Sequence, residues 1–565
     1  MKTLSQRIAP SELRVRIILV LAFTLPALPS TGQAPPVVRV TGGSLQGAFE
    51  PSLPGGATFK AIPFAQPPVK DLRWREPQPV QAWKGIRDAT RYSASCVQPA
   101  LGTGRFLKPL AQLYGAVYNP APIEISEDCL YLNVWTPAWP VKNPIPVMVW
   151  IHGGSNVIGS GTESGYDGAA LARKGVVVVT INYRLGVFGF FAHPELTSES
   201  PHHASGNYGL LDQIAALEWV RRNIAQLGGD PKRVTVFGES AGAINAGLLL
   251  CSPLAAGLFQ RAILESGPVL SLAHHPAPLN KGERFGETVA RSLGSPGNLQ
   301  TLRASSPESV ITAARQAAAG GGDPGYVVDG WCLREAPAKI FAEGRQLPVD
   351  LMIGNNGREI SVFRGGSGGG ENRGLGGDSV KETIRMFYGG ATPMVTGFFV
   401  VDSTLHRTEA ADAWINDVVC TCPEMAMSLL QAETGRRAYV YQFLRSIPGK
   451  GQKSLGSFHS LELPYVFDAF RKPQWNWLPF EPIDFALGAS IQSYWTNFAK
   501  TGNPNGPNLP NWPGFEATSQ TAMEFTQEGS SLARAHSRPT FCDLDVSALK
   551  RRLKEPAPGE AVASH

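Results

Sequence analysis

The chain has 565 residues, 43% of them apolar and 17% charged, a balance that builds a buried core and excludes a disordered or low-complexity protein. Its formal charge is +5, but the first 32 residues set Lys2, Arg7, Arg14 and Arg16 against Glu12 alone. The remainder is therefore nearly neutral and carries no electrostatic footprint for nucleic acid or a membrane surface.

The N-terminal segment places an apolar run (17–28) after basic residues and before the small residues Pro29-Ser-Thr-Gly32. This is the pattern of a secretory signal. Twelve residues with Pro26 among them are too short for a bilayer, which needs about 20. The expectation is a signal peptide over 1–32, a catalytic domain over 35–548, a frayed tail over 549–565, and a secreted or periplasmic location with no membrane span in the mature chain. Export permits disulfides. Seven cysteines, at 96, 129, 251, 332, 420, 422 and 542, leave at least one unpaired within the chain. No His or Cys pair has zinc spacing, so neither metal nor cofactor is expected.

In chain order, 37–40, 57–62 and 130–134 read as short strands between Gly/Pro-rich turns. Residues 145–151 and 176–182 are nearly unbroken apolar runs, which implies strands buried on both faces and covered by helices. Helical periodicity appears at 167–173 and, with Leu211, Ile214, Leu217 and Ile224, at 209–226. Further strands are expected at 234–237, 259–264, 348–354 and 438–443, and helices at 243–250 and 491–500. Residues 270–345 read as partly helical, and the Gly-rich loop 365–377 as a lid or a flexible connection. Alternating strands and helices predict an α/β fold with a large, mostly parallel sheet. Ligands at such sheets bind beyond the carboxyl ends of the strands.

Gly238-Glu-Ser240-Ala-Gly242 follows one strand and opens a helix, the context of a nucleophile elbow. A second match, Gly365-Gly-Ser367-Gly-Gly369, has neither neighbour and reads as loop. A serine needs a base in reach and an acid to orient it. His459, after the strand at 438–443, is the candidate base. Glu359, in the turn after strand 348–354, is the candidate acid, with Asp329 as rival. Trp150-Ile-His-Gly-Gly-Ser155 ends another strand, and its unobstructed N–H groups suit an oxyanion hole. The candidates are Gly153, Gly154 and Ser155, joined by Ala241.

Several segments now point one way: Glu127-Asp-Cys-Leu-Tyr-Leu-Asn133, Asn182-Tyr-Arg-Leu-Gly186, Gly206-Asn-Tyr-Gly-Leu-Leu-Asp-Gln213, Gly238 to Gly242, Ile353 to Glu359, and Phe458-His459 with Glu462-Leu-Pro-Tyr-Val-Phe467. Together they resemble the type-B carboxylesterases, a cholinesterase-like branch of the α/β-hydrolases, over nearly all of residues 36–545. The resemblance implies an α/β-hydrolase fold and hydrolysis of small carboxylic esters through an acyl-enzyme. Ser240 would be the nucleophile, Glu359 the acid and His459 the base, with Glu239 and Ser266 in supporting places. It also implies disulfides Cys96–Cys129 and Cys422–Cys542. Two departures stand out: the acid turn lacks the usual Asp and trailing Gly, and Ser155 replaces a smaller residue in the oxyanion loop. A carbamate, amide or specialised aromatic-ester hydrolase, or a non-catalytic binding member of the same fold, are the alternatives. Loops 97–125, 270–345 and 360–400 would set specificity.

Overall fold

The computed structural model describes residues 34–140, 143–271, 276–295, 297–319, 325–363, 413–535 and 542–543. The expected signal (1–32), the tail (549–565) and Ser367 with its loop (365–377) lie outside the described residues.

Eleven strands form the main sheet: β1 (Ala48–Phe49), β2 (Ala57–Pro63), β3 (Tyr131–Thr136), β4 (Ile145–Ile151), β5 (Val177–Ile181), β6 (Gly229–Glu239), β7 (Arg261–Glu265), β8 (Asp350–Asn356), β9 (Ala438–Phe443), β10 (Thr521–Phe525) and β11 (Ser531–Ala535). Their order across the sheet is β11-β10-β9-β8-β7-β6-β4-β5-β3-β2-β1. The central block from β10 to β5 is all parallel. The two margins are antiparallel. Val37–Val40, Gly43–Gln46 and Ile86–Asp88 form a separate small sheet.

The apolar runs work as expected, because successive side chains in a strand point to opposite faces. Val147, Val149 and Ile151 of β4 join one core, and Met148 and Trp150 join the other. The first core is covered by α1 (Tyr208–Asn223), α2 (Ala241–Cys251) and α3 (Cys422–Glu433). The second is aromatic and takes in Leu487, Ile491, Tyr494, Trp495 and Phe498 of α4 (Pro482–Thr501), with the Trp495 ring 5.2 Å from Tyr441 and the Tyr494 ring 6.0 Å from Phe525. Each such side chain withdrawn from water contributes roughly 1.5–3 kcal/mol.

Element ends differ from expectation where a cap intervenes. The helix expected over 209–226 is α-helical from Tyr208 to Asn223, then tightens to a 3-10 turn (Ile224–Leu227) stopped by Gly228 at φ 90°. The helix expected from 491 begins at Pro482. Its signal is a capping box of Glu481 and Asp484. Asp484 is buried against Arg445 at 2.7 Å and Tyr465 at 2.6 Å. The partly helical 270–345 contains Leu279–Ser292, Leu299–Ala304, Pro307–Ala319 and Pro337–Ala342. β8 extends to Asn356, beyond the expected end at 354.

Both expected disulfides are present, Cys96–Cys129 and Cys422–Cys542. Cys251, Cys332 and Cys420 are buried thiols. Among the described residues no helix is long and apolar enough to cross a membrane.

Candidate active site

β6 ends at Glu239 and α2 starts at Ala241, so Ser240 alone makes the turn. It does so at φ 55°, ψ −123°, a region that costs an ordinary residue about 1–3 kcal/mol. The strand-to-helix approach explains the flanking glycines: a Cβ at Gly238 would lie 2.6 Å from the Gly242 carbonyl carbon, and one at Gly242 would lie 2.0 Å from the Ile151 oxygen. The Ser240 N–H donates to Glu265 O of β7 at 2.8 Å. Ser266 follows at φ 57° and donates its N–H to Gly354 O at 2.8 Å, so β7 supports the elbow from below.

β4 delivers the facing loop. A Cβ at Gly153 would lie 2.6 Å from Glu239 Oε2 and 3.1 Å from Ser240 Cβ, so this loop packs directly on the elbow. Gly154, Ser155 and Asn156 then follow at φ 96°, 55° and 55°. Three successive left-handed residues turn their N–H groups to one side, a concavity that suits an anion. For Ser155 and Asn156 that conformation costs about 1–2 kcal/mol each. The first N–H groups of a helix have no intrahelical acceptor, so Ala241 N–H remains available opposite the loop. Ser155 is exposed. His152 is buried, stacked on Tyr183 at 4.5 Å, and held by burial at about 4, so it is neutral at neutral pH.

The candidate acid and base, Glu359 and His459, come from the loops after β8 and β9. Glu359 is buried; its Oε1 accepts from Asn356 N–H at 2.5 Å, and its own N–H donates to Asn416 Oδ1 at 2.9 Å. Its Oε2 lies 2.5 Å from His459 Nδ1. The neighbouring Arg358 donates to Lys453 O at 2.9 Å. The two loops are joined by one backbone bond and one side-chain bond: Arg358 N–H donates to Ser457 O at 2.9 Å, and Asn356 Nδ2 donates to Phe458 O at 2.9 Å. Asp329 is elsewhere, accepting from Asn207 Nδ2 at 2.9 Å and from Leu333 N–H at 2.9 Å to close a turn. His193 caps the helix Pro194–Glu199.

His459 meets more than one carboxyl group. Its Nε2 lies 3.2 Å from Glu239 Oε1, which also accepts from Ser460 Oγ at 2.5 Å. Glu462 is buried one turn further on and is bonded to Asn356 Nδ2. Burial pulls the His459 imidazole down, but the charges of Glu239 and Glu359, the Glu359 hydrogen bond and Glu462 push it up to about 10. Burial in turn raises Glu239 and Glu462. A proton on either carboxyl group would weaken the field that raises the ring. The Phe363 ring lies 5.4 Å from the imidazole. Nothing in the sequence marks Ser460 or Asn416 for this cluster; Glu462 does carry a signal, three residues after His459 at the head of Glu462-Leu-Pro-Tyr-Val-Phe467.

A model of the carboxylesterase family matches residues 34–543. Fumonisin B1 esterase of Sphingopyxis macrogoltabida is 36% identical over 89% of this chain and 89% of its own. Para-nitrobenzyl esterase of Bacillus subtilis is 35% identical over 86% of this chain and 94% of its own. The crystal structure of a Geobacillus stearothermophilus carboxylesterase superposes with a TM-score of 0.75 at 33% identity, covering 90% of this chain and 99% of that one. Likeness of this extent covers the whole of the sheet and its helices, the α/β-hydrolase fold. The chain therefore belongs to the carboxylesterase family and is a carboxylic-ester hydrolase.

Proposed function

We propose that the chain is an exported serine carboxylesterase with Ser240 as nucleophile, His459 as general base and Glu359 as the acid that orients it. The observation that carries this reading is the buried contact of Glu359 Oε2 with His459 Nδ1 at 2.5 Å, beside an elbow that holds Ser240 at φ 55°. With Nδ1 engaged by the Glu359 carboxylate, Nε2, which also faces Glu239 Oε1 at 3.2 Å, is the nitrogen that takes the serine proton. Ser240 Oγ attacks the ester carbonyl. The developing oxyanion is met by the N–H groups of Gly154, Ser155 and Ala241. His459 then protonates the leaving alcohol and activates the water that hydrolyses the acyl-enzyme.

Export is supported by the apolar run 17–28 and by the disulfides Cys96–Cys129 and Cys422–Cys542. The substrate is a small carboxylic ester. Relatives named for fumonisin B1, para-nitrobenzyl and cocaine esterase activity share the fold, so a panel of esters varied in acyl and alcohol part is the measurement that ranks substrates. The test of the mechanism is Ser240→Ala, which abolishes both hydrolysis and covalent labelling by an organophosphonate, whereas Ser367→Ala leaves both intact. Labelling that survives in the Ser240 variant would sink the assignment.

A further inference from the structure

The left-handed stretch Gly154-Ser155-Asn156 is unusual in carrying two residues with side chains. Such backbone persists only where its surroundings over-determine it. Part of the restraint is main chain: Val157 and Ile158 N–H donate to Gly154 O at 2.9 and 3.0 Å, and Gly186 N–H donates to Asn156 O at 2.5 Å. The rest passes through one side chain. Asn156 is buried although Ser155 and Val157 on either side are exposed. Its Nδ2 donates to Tyr326 Oη at 2.7 Å, and its Oδ1 accepts from Asn245 Nδ2 at 2.9 Å. Tyr183 Oη lies 3.2 Å from the same Oδ1 and 2.8 Å from His152 O, so its single proton serves both ends of the loop.

The identity of these partners matters. Asn245 is on α2, the helix that begins at Ala241. Tyr183 follows β5 and grips His152, where the loop leaves β4. Tyr326 enters from the segment 325–333, which lies outside the main sheet. One amide thus ties the loop bearing the Gly154 and Ser155 N–H groups to the helix bearing the Ala241 N–H group.

We infer that Asn156 is a positioning residue that sets the spacing between the two halves of the oxyanion hole. This rests on the proposed catalytic reading. Asn156 reaches the reacting atoms only through the backbone it holds, so its loss acts on the transition state and not on the resting ester. A carbonyl oxygen gains its charge only as the tetrahedral intermediate forms, and donors displaced by a fraction of an ångström still admit the neutral ester.

The experiment compares wild type, Asn156→Ala, Asn245→Ala, Tyr326→Phe and Ser240→Ala, all checked by circular dichroism and thermal melting. A p-nitrophenyl ester gives kcat and KM. A trifluoromethyl ketone, which forms an oxyanion on the nucleophile, and the product alcohol give two inhibition constants. Asn156→Ala is expected to lower kcat by about 10- to 100-fold with KM within about twofold, because small misplacements of catalytic geometry cost on that order. Affinity for the ketone falls by the same factor as kcat/KM, and affinity for the alcohol is kept. Asn245→Ala and Tyr326→Phe show smaller losses of the same type, and they carry the test alone if Asn156→Ala does not fold. Loss of ketone affinity no greater than loss of alcohol affinity, or a rise in KM at constant kcat, overturns the inference. Activity remaining in Ser240→Ala would instead overturn the catalytic reading itself, so the two failures are distinct.

Discussion

Glu239 precedes Ser240, the proposed nucleophile, and its carboxylate faces His459 Nε2 at 3.2 Å, so its charge acts directly on the imidazole. An anion beside an imidazole favours the protonated ring, and a general base must be neutral. The acid limb of the kcat/KM profile is therefore expected above 6.5, the value of free histidine. Glu239→Gln removes one of the charges that raise His459, so the limb moves to lower pH. An unmoved limb would mean that Glu359 and Glu462 alone set the ring. Ser155 offers a second test at this scale. Ser155 is exposed in the proposed oxyanion loop, and we propose that its hydroxymethyl group limits the space for a branched alcohol. Ser155→Gly is expected to raise the ratio of tert-butyl to ethyl ester turnover, measured as kcat/KM for both esters in both proteins. Its melting temperature changes little, since relief of about 1–2 kcal/mol of left-handed strain offsets the roughly 0.5–1 kcal/mol of glycine entropy.

The helix Gly104–Leu113 lies within the loop closed by Cys96–Cys129, a sequence separation of 33. Its Phe106 ring packs 6.1 Å from Phe363, which packs 5.4 Å from His459. The disulfide thus holds a wall of the site as well as the fold. A double Cys96→Ser, Cys129→Ser variant is expected to lose about 4 kcal/mol by the loop-entropy relation, read as a lower melting temperature, and to raise KM before global unfolding. Unchanged KM at temperatures well below the melt would separate this loop from the site. In α4, Asp484 caps the helix and holds Arg445 in the interior. Asp484→Ala leaves that guanidinium without its buried partner, and a loss of about 3–5 kcal/mol is expected in urea or thermal denaturation. A loss under 1 kcal/mol would show that Glu481, at 2.7 Å from Arg445, suffices.

At the scale of the molecule, two cores on opposite faces of one sheet make the parallel block the frame on which every loop of the site depends. We propose that the hydrolase domain spans residues 35–548 and that 1–32 is removed on export. A chain lacking 1–32, made in an oxidising compartment, is then expected to match the full-length protein in kcat/KM. Mass spectrometry of the exported protein should find a new N-terminus near residue 32. Retention of the intact leader in a membrane fraction would refute the removal. The sheet was legible because its strands are unbroken apolar runs, as in β4 and β5, where every neighbour is protein. The start of α4 was not, because Asp484 belongs to the interior only once Arg445 and Tyr465 arrive from elsewhere.

What the sequence determined by itself was whatever a few adjacent residues decide through sterics. Gly238 and Gly242 around Ser240 announce a turn that no side chain fits, and Gly153-Gly154 after β4 announces a loop that can approach it. What only the tertiary structure decided were meetings across long stretches of chain. Glu359 and His459 are 100 residues apart, and it is the parallel pairing of β8 and β9 that brings them together and leaves Asp329 against Asn207. Glu239 and Ser460 are separated by 221 residues, and Asn156 and Tyr326 by 170. Hydrophobic periodicity reports which face of an element is buried. It does not report which polar group will be waiting there, because that depends on strand order and on the low-dielectric interior, where each buried charge or amide must find a partner.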